Sequence, residues 1–203
     1  MNDPDLSTCL PYLILPVAAW LAWAAFIAAR RYLHLRDYRF PPGLLSRLRK
    51  QYPQYTPAEW RGVLDGLRVW FRVAQLARGR HVSMPSQAVD VAWHEFILFT
   101  REYDAFCRAS LGRYLHHVPA EAMRTPTLAQ DGIRRAWRLA CAIERIDRKQ
   151  PVRLPRLFRL DAELAFPGGF TYAIDCRAGR DAEAYCASGI GCASGCGGGC
   201  GGD

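Results

Sequence analysis

Hydrophobic side chains follow three rhythms along the chain. From Cys9 to Ala29, "CLPYLILPVAAWLAWAAFIAA", they run on without one charged residue. At about 1.5 Å per residue, such a run matches the roughly 30 Å hydrocarbon core of a bilayer. From Pro41 to Lys149 they recur every three or four positions, which is the period of one helix face. Only "FTYAIDC", Phe170 to Cys176, alternates in the manner of a strand, after the turn-forming Pro167, Gly168 and Gly169.

The helical stretch divides at recognisable boundaries. "PPGLLSRLRKQY" places Leu44, Leu45 and Leu48 on one face. In "TPAEWRGVLDGLRVWFRVAQLARG", Thr56 is a natural N-cap, Pro57 suits the first helical position and Glu59 completes a capping box. Trp60, Val63, Leu64, Leu67, Trp70, Phe71 and Ala74 then follow one stripe, and Gly79 closes it. A long helix is expected from a cap at Ser83 or Ser86 to about Ser110, with Gly112 as stop. Another is expected between Pro126 and Lys149, with Leu128, Ile133, Ala136, Trp137, Ala140, Ile143 and Ile146 opposite its arginines. The expected architecture is all-α: an N-terminal transmembrane helix over residues 1–30, a helical bundle over 31–178 with a small irregular end, and a disordered Gly/Cys-rich tail over 179–203.

Charge orients the first segment. Its flank "MNDPDLST" carries Asp3 and Asp5, where a cleaved signal peptide needs positive charge. Arg30, Arg31, Arg36 and Arg39 follow the apolar run. The positive-inside rule therefore predicts a single pass through a bacterial inner membrane, with the C-terminal domain cytoplasmic. A buried core helix is the competing reading, and Trp20 and Trp23 sit deeper in the run than an interfacial belt would place them.

The net charge of +8 is almost all arginine, since lysine occurs only at Lys50 and Lys149. Such a surface attracts phosphates of lipid or nucleic acid. Lipid is favoured, because the basic run begins where the apolar one ends. No RNP signature, zinc finger or basic zipper points to nucleic acid. A protein partner for the basic helical domain is the other expectation.

Candidate chemistry is concentrated in "VDVAWHEFILFTREYDAFCRASLGRYLHHVP", Val89 to Pro119, which holds three of the five histidines. Asp90 and His94 stand four apart, on one face of a helix. Two readings are open. In one, Asp90, His94, and His116 or His117 hold Zn²⁺ or another divalent transition ion. In the other, Asp90 only accepts a hydrogen bond from His94, and the pair pins a helix junction in apolar surroundings. Cys107 is expected to be a small buried hydrophobe, and Trp93, Phe96, Phe99, Tyr103 and Phe106 are expected in the core.

The same stretch resembles the bacterial branch of the glycine-rich domain-containing protein-like family, whose signature is an aspartate, a tryptophan–histidine pair, a tyrosine and a later histidine. "LPRLFRLDAELAFPGGFTYAIDC", Leu154 to Cys176, looks like the closing segment of similar bacterial proteins. Plant members commonly carry a second histidine two after the first, where this chain has Phe96. The resemblance implies no particular activity.

In the tail, "YCASGIGCASGCGGGCGGD", Cys192, Cys196 and Cys200 stand four apart and Cys186 six before them. These thiols suit Zn²⁺, Cu⁺ or disulfides, or are low-complexity drift. No G-x-S-x-G, Walker loop or dinucleotide fingerprint occurs, and "WHEFI" has Leu98 where a zincin's second histidine belongs. Two functions follow: a membrane-tethered interaction or scaffolding module, or a metal-binding protein or metal-dependent enzyme built on the Asp/His set.

Overall fold

A computed structural model describes the backbone of residues 6–117, 126–174 and 185–186, and the side chains of 14–117 and 130–174. The described chain is all-α. Helix α1 spans Leu6–Asp37, and one segment of it, Ile14–Asp37, is long and apolar enough to cross a membrane. None of that segment's most apolar stretch is buried in the body. Trp20 and Trp23 are 66% and 63% exposed. The helix does not stop at Arg30 but continues to Asp37, and its last two turns dock. Leu35 is buried there, the His34 ring Nδ1 meets Ser110 Oγ at 2.8 Å, and Tyr38 packs on Phe106 with ring centroids 4.6 Å apart.

The body is organised around α3, Pro57–Ala77. Its start is the expected capping box: Thr56 Oγ1 accepts from the Glu59 amide, and Glu59 Oε2 accepts from the Thr56 amide at 2.6 Å. Its stripe is buried from Trp60 to Ala77. Against it pack α1, α2 (Pro42–Gln51), α4 (Gln87–Ile97), α6 (Pro126–Glu144) and α7 (Arg156–Glu163). Leu44 and Leu48 of α2 are fully buried, as are Ala136, Trp137 and Ala140 of α6. Helix α6 ends earlier than the periodicity predicts, because Arg145 takes a left-handed conformation, φ 56°. Its Leu128 side chain lies outside the described residues.

The long helix expected from Ser83 or Ser86 to Ser110 is divided. Helix α4 ends at Ile97, and α5 runs Thr100–Phe106 and passes into a π-helical turn, Cys107–Leu111. Packing of the aromatics explains the division. Thirteen residues apart on a continuous helix, Trp93 and Phe106 would point about 140° apart, at roughly 100° per residue. With the break at Phe99 both enter one core, 4% and 1% exposed. Phe96 packs on Tyr103 at 5.3 Å and on Phe106 at 5.5 Å, while Phe99 is partly buried beside them. The expected stop holds: Gly112, φ 73°, ends the π-helical turn. A side chain there would collide with the Arg31 guanidinium.

The alternating "FTYAIDC" yields a strand pair only two residues long, Tyr172–Ala173 beside Tyr185–Cys186 in parallel.

Candidate metal centre

Helix α4 carries two of the candidate ligands, and the segment after α5 carries the third. The His94 Nδ1 lies 3.5 Å from Asp90 Oδ2, across one turn of α4. The chain then returns, so that His117 closes the set: its Nε2 is 3.2 Å from Asp90 Oδ1 and its Nδ1 3.3 Å from His94 Nε2. One ligand atom from each of the three residues can be chosen so that all lie within 4.8 Å of one another. The short contacts use different nitrogens of the same rings, so with one donor per residue the set spans up to 4.8 Å, wider than the roughly 3.3 Å edge of a tetrahedron with metal–ligand bonds of about 2 Å. Rotation of the imidazoles would be needed to bring the three donors onto one ion. The side chains of Asp90 and His117 are 18% exposed and that of His94 is 50% exposed.

That exposure bears on the two readings of the histidines. A structural pin needs apolar surroundings that make an unpaired ring costly. His94, half in water, has no such need. His116 points elsewhere: it is exposed and its ring lies 4.8 Å from that of Tyr114. Of the two adjacent histidines, only His117 joins Asp90 and His94.

A relay of buried groups returns the chain to this point. The Trp93 indole N–H donates to Tyr103 Oη at 3.0 Å, and Tyr103 Oη–H donates to the Leu115 carbonyl at 2.6 Å. Burial pushes the Tyr103 phenol far above its ordinary pKa, so the hydroxyl keeps its proton and remains a donor. The edge of Trp93 also meets the His117 ring, 4.8 Å between centroids. Asp90, the Trp93–His94 pair, Tyr103 and His117 thus form one contact set.

Sequence reasoning misses the residue that sets α4 itself. Asp161, on α7, is 3% exposed and accepts four hydrogen bonds. Ser86 Oγ donates to Oδ1 at 2.6 Å and the Ala88 amide at 3.1 Å, while the Gln87 and Phe170 amides donate to Oδ2 at 2.7 and 2.9 Å. A buried acceptor thus satisfies the orphan donors at the start of α4. Gly169 permits it, since a Cβ there would lie 2.8 Å from the Asp161 Cβ. The one available cue was an aspartate on the apolar face of "LFRLDAEL".

Beside the cluster opens a cleft of about 450 Å³. Asp90, His116 and His117 form part of its wall, with Trp70, Trp93 and Met84 as apolar lining and Arg80 and Arg113 as cations. The Trp70 indole N–H is buried without an acceptor among the described residues. His81 also lines the cleft, and its pKa is lowered, first by burial and then by Arg135. Cys107 is buried, and burial raises its thiol pKa, so it remains a protonated hydrophobe. Burial likewise pushes Cys141 up to about 11. The tail thiols Cys192, Cys196 and Cys200 lie outside the described residues, and of Cys186 only the backbone is described.

The fold and the cluster define a helical-bundle protein with a long apolar N-terminal helix and a solvent-facing Asp–His–His set. The chain belongs to the uncharacterised UCP032817-like family, whose model matches residues 30–190. No curated protein and no solved structure matches it.

Proposed function

We propose that the protein is a membrane-anchored metal-binding protein, holding a divalent transition ion such as zinc on Asp90, His94 and His117. One observation carries this reading: three donor-bearing side chains, two from α4 and one from the segment after the π-helical turn, meet within 4.8 Å at the edge of a cleft. Two imidazoles and a carboxylate suit zinc or a similar ion, and three protein ligands leave a coordination position for water or substrate. That open position supports a metal-dependent enzyme over a closed structural site. Helix α1 serves as a single-pass anchor in a bacterial inner membrane, with the arginines that follow it, and the helical domain, in the cytoplasm.

The test is elemental analysis of the full-length protein, purified without a His-tag in nonionic detergent and dialysed against Zn²⁺. Wild type should hold one equivalent, and His94→Ala and His117→Ala should lose it. His116→Ala should keep it. A metal-free wild type, or equal loss in all three variants, would sink the reading. Reporter fusions after residue 174 should read cytoplasmic.

A second reading, the interaction module with a basic face, is favoured by a specific feature: Arg31, Arg72, Arg78 and Arg113, around the docked end of α1, have no carboxylate partners among the described residues.

A further inference from the structure

A second cleft, of about 630 Å³, opens where α1 joins the body. Ala28, Ala29 and Arg31 of α1 form one wall, Arg72 and Arg78 come from the end of α3, and Arg113 follows the π-helical turn. Among the described residues, no aspartate or glutamate lines it. Elsewhere on the surface some arginines are balanced by carboxylates, while others, such as Arg49, Arg61 and Arg138, form no ion pair among the described residues. Arg47, Arg108, Arg153 and Arg159 are paired with Glu95, Asp104, Glu144 and Glu163. Arg31, Arg72, Arg78 and Arg113 form no ion pair among the described residues.

Two of these side chains, Arg72 and Arg31, are held rather than splayed into water. The Arg72 guanidinium lies over the Tyr32 ring, 4.4 Å from its centroid, and donates to Gln75 Oε1. Gln75 in turn donates to the Ser110 carbonyl at 2.8 Å. Arg31 lies over Gly112, where a side chain would displace it. Four like charges gathered around one cleft repel each other, and an anion relieves that repulsion. Guanidinium forks match phosphate oxygens in geometry as well as charge.

The height of the cleft points to the source of the anion. Ala28 and Ala29 are the last residues of the charge-free run from Cys9. With α1 in a bilayer, its wall stands at headgroup level, where basic pockets receive anionic lipids. We propose that this cleft binds a phosphate ester, presented by the headgroup of an anionic phospholipid, with Arg31, Arg72, Arg78 and Arg113 as its donors. The choice of lipid over soluble phosphate rests on the anchor reading of α1; the phosphate chemistry does not, and neither depends on a metal at Asp90.

The experiment uses the full-length chain in bilayer discs of phosphatidylcholine with a minor fraction of phosphatidylglycerol. Native mass spectrometry counts the phosphatidylglycerol retained, and calorimetry titrates inorganic phosphate into the same protein in detergent. Arg78 and Arg113 are exposed, so Arg78→Gln and Arg113→Gln should leave the unfolding midpoint unchanged. One phosphatidylglycerol should remain on wild type, with affinity falling about fivefold per arginine removed and on the order of twentyfold in the double variant, as expected for one charge beside an anionic surface. Arg134→Gln, remote from the cleft, should retain it fully. Inorganic phosphate binding with the same arginine dependence, and no preference for phosphatidylglycerol, would support the phosphate site while overturning the headgroup as its source. Equal lipid retention in the double variant and in Arg134→Gln, with no heat from phosphate, would overturn the proposal.

Discussion

Two aspartates attend α4, and they are opposites. Asp161 is buried at the helix's start and saturated by four donors that hold it in one position. Asp90, one turn into the helix, is partly open to water and faces two imidazoles that are themselves partly exposed. A carboxylate with every lone pair committed to backbone and hydroxyl donors can only support structure. One that faces two imidazole rings beside a cleft has contacts that another ligand could replace. The contrast teaches that burial and saturation, rather than residue type, separate the structural acid from the candidate ligand.

The largest effect should come from the saturated member. Asp161→Ala strands the Ser86 hydroxyl and three amides, and should destabilise the protein by at least about 3 kcal/mol in urea unfolding. A smaller loss would mean that water replaces the carboxylate and that the contrast with Asp90 is overdrawn. Next is Tyr103→Phe, which removes the donor to Leu115 and the acceptor for Trp93. It should cost about 1–3 kcal/mol and, by releasing the segment that carries His117, weaken metal affinity about tenfold. Equilibrium unfolding and competition with a zinc chelator read the two effects separately. Asp90→Asn should reverse the pattern: stability within about 0.5 kcal/mol of wild type, with the bound metal lost. Were Asp90→Asn as destabilising as Asp161→Ala, the two acids would be alike.

The smallest effect concerns pH. His81, in the same cleft, has a folded pKa below its ordinary value of 6.5, chiefly through burial. As pH falls through that ordinary value, the unfolded chain takes up a proton that the folded chain refuses, so stability decreases toward acid and is fully present above it. His81→Gln should flatten the decline in urea midpoint below pH 6.5; an unchanged slope would assign the acid sensitivity to other groups.

Much of the fold is written locally. The Thr56–Glu59 capping box, the α3 stripe and the i, i+4 placement of Asp90 and His94 depend on residues at most four positions apart, and each is legible in order along the chain. The break at Phe99 is not, because it serves the joint burial of Trp93 and Phe106, a demand of the assembled core. The choice of His117 over His116 was equally hidden. It depends on where Tyr103 fastens the Leu115 carbonyl, twelve residues away. Asp161 was hidden for the strongest reason: an acid on an apolar helix face reads as a misplaced polar group until the helix start it caps, more than seventy residues earlier, lies against it.

That separation has a consequence for the order of events during synthesis. Chains emerge from the ribosome N-terminus first and fold progressively. Helix α4, with Asp90 and His94 already on it, leaves the ribosome well before Asp161, and Phe170 follows later still. Until then its first turn has Ser86 alone to satisfy it. A nascent chain, or one truncated before α7, has the proposed ligands in sequence but an unfinished helix beneath them, so the candidate centre would mature only as α7 and the segment after it are made.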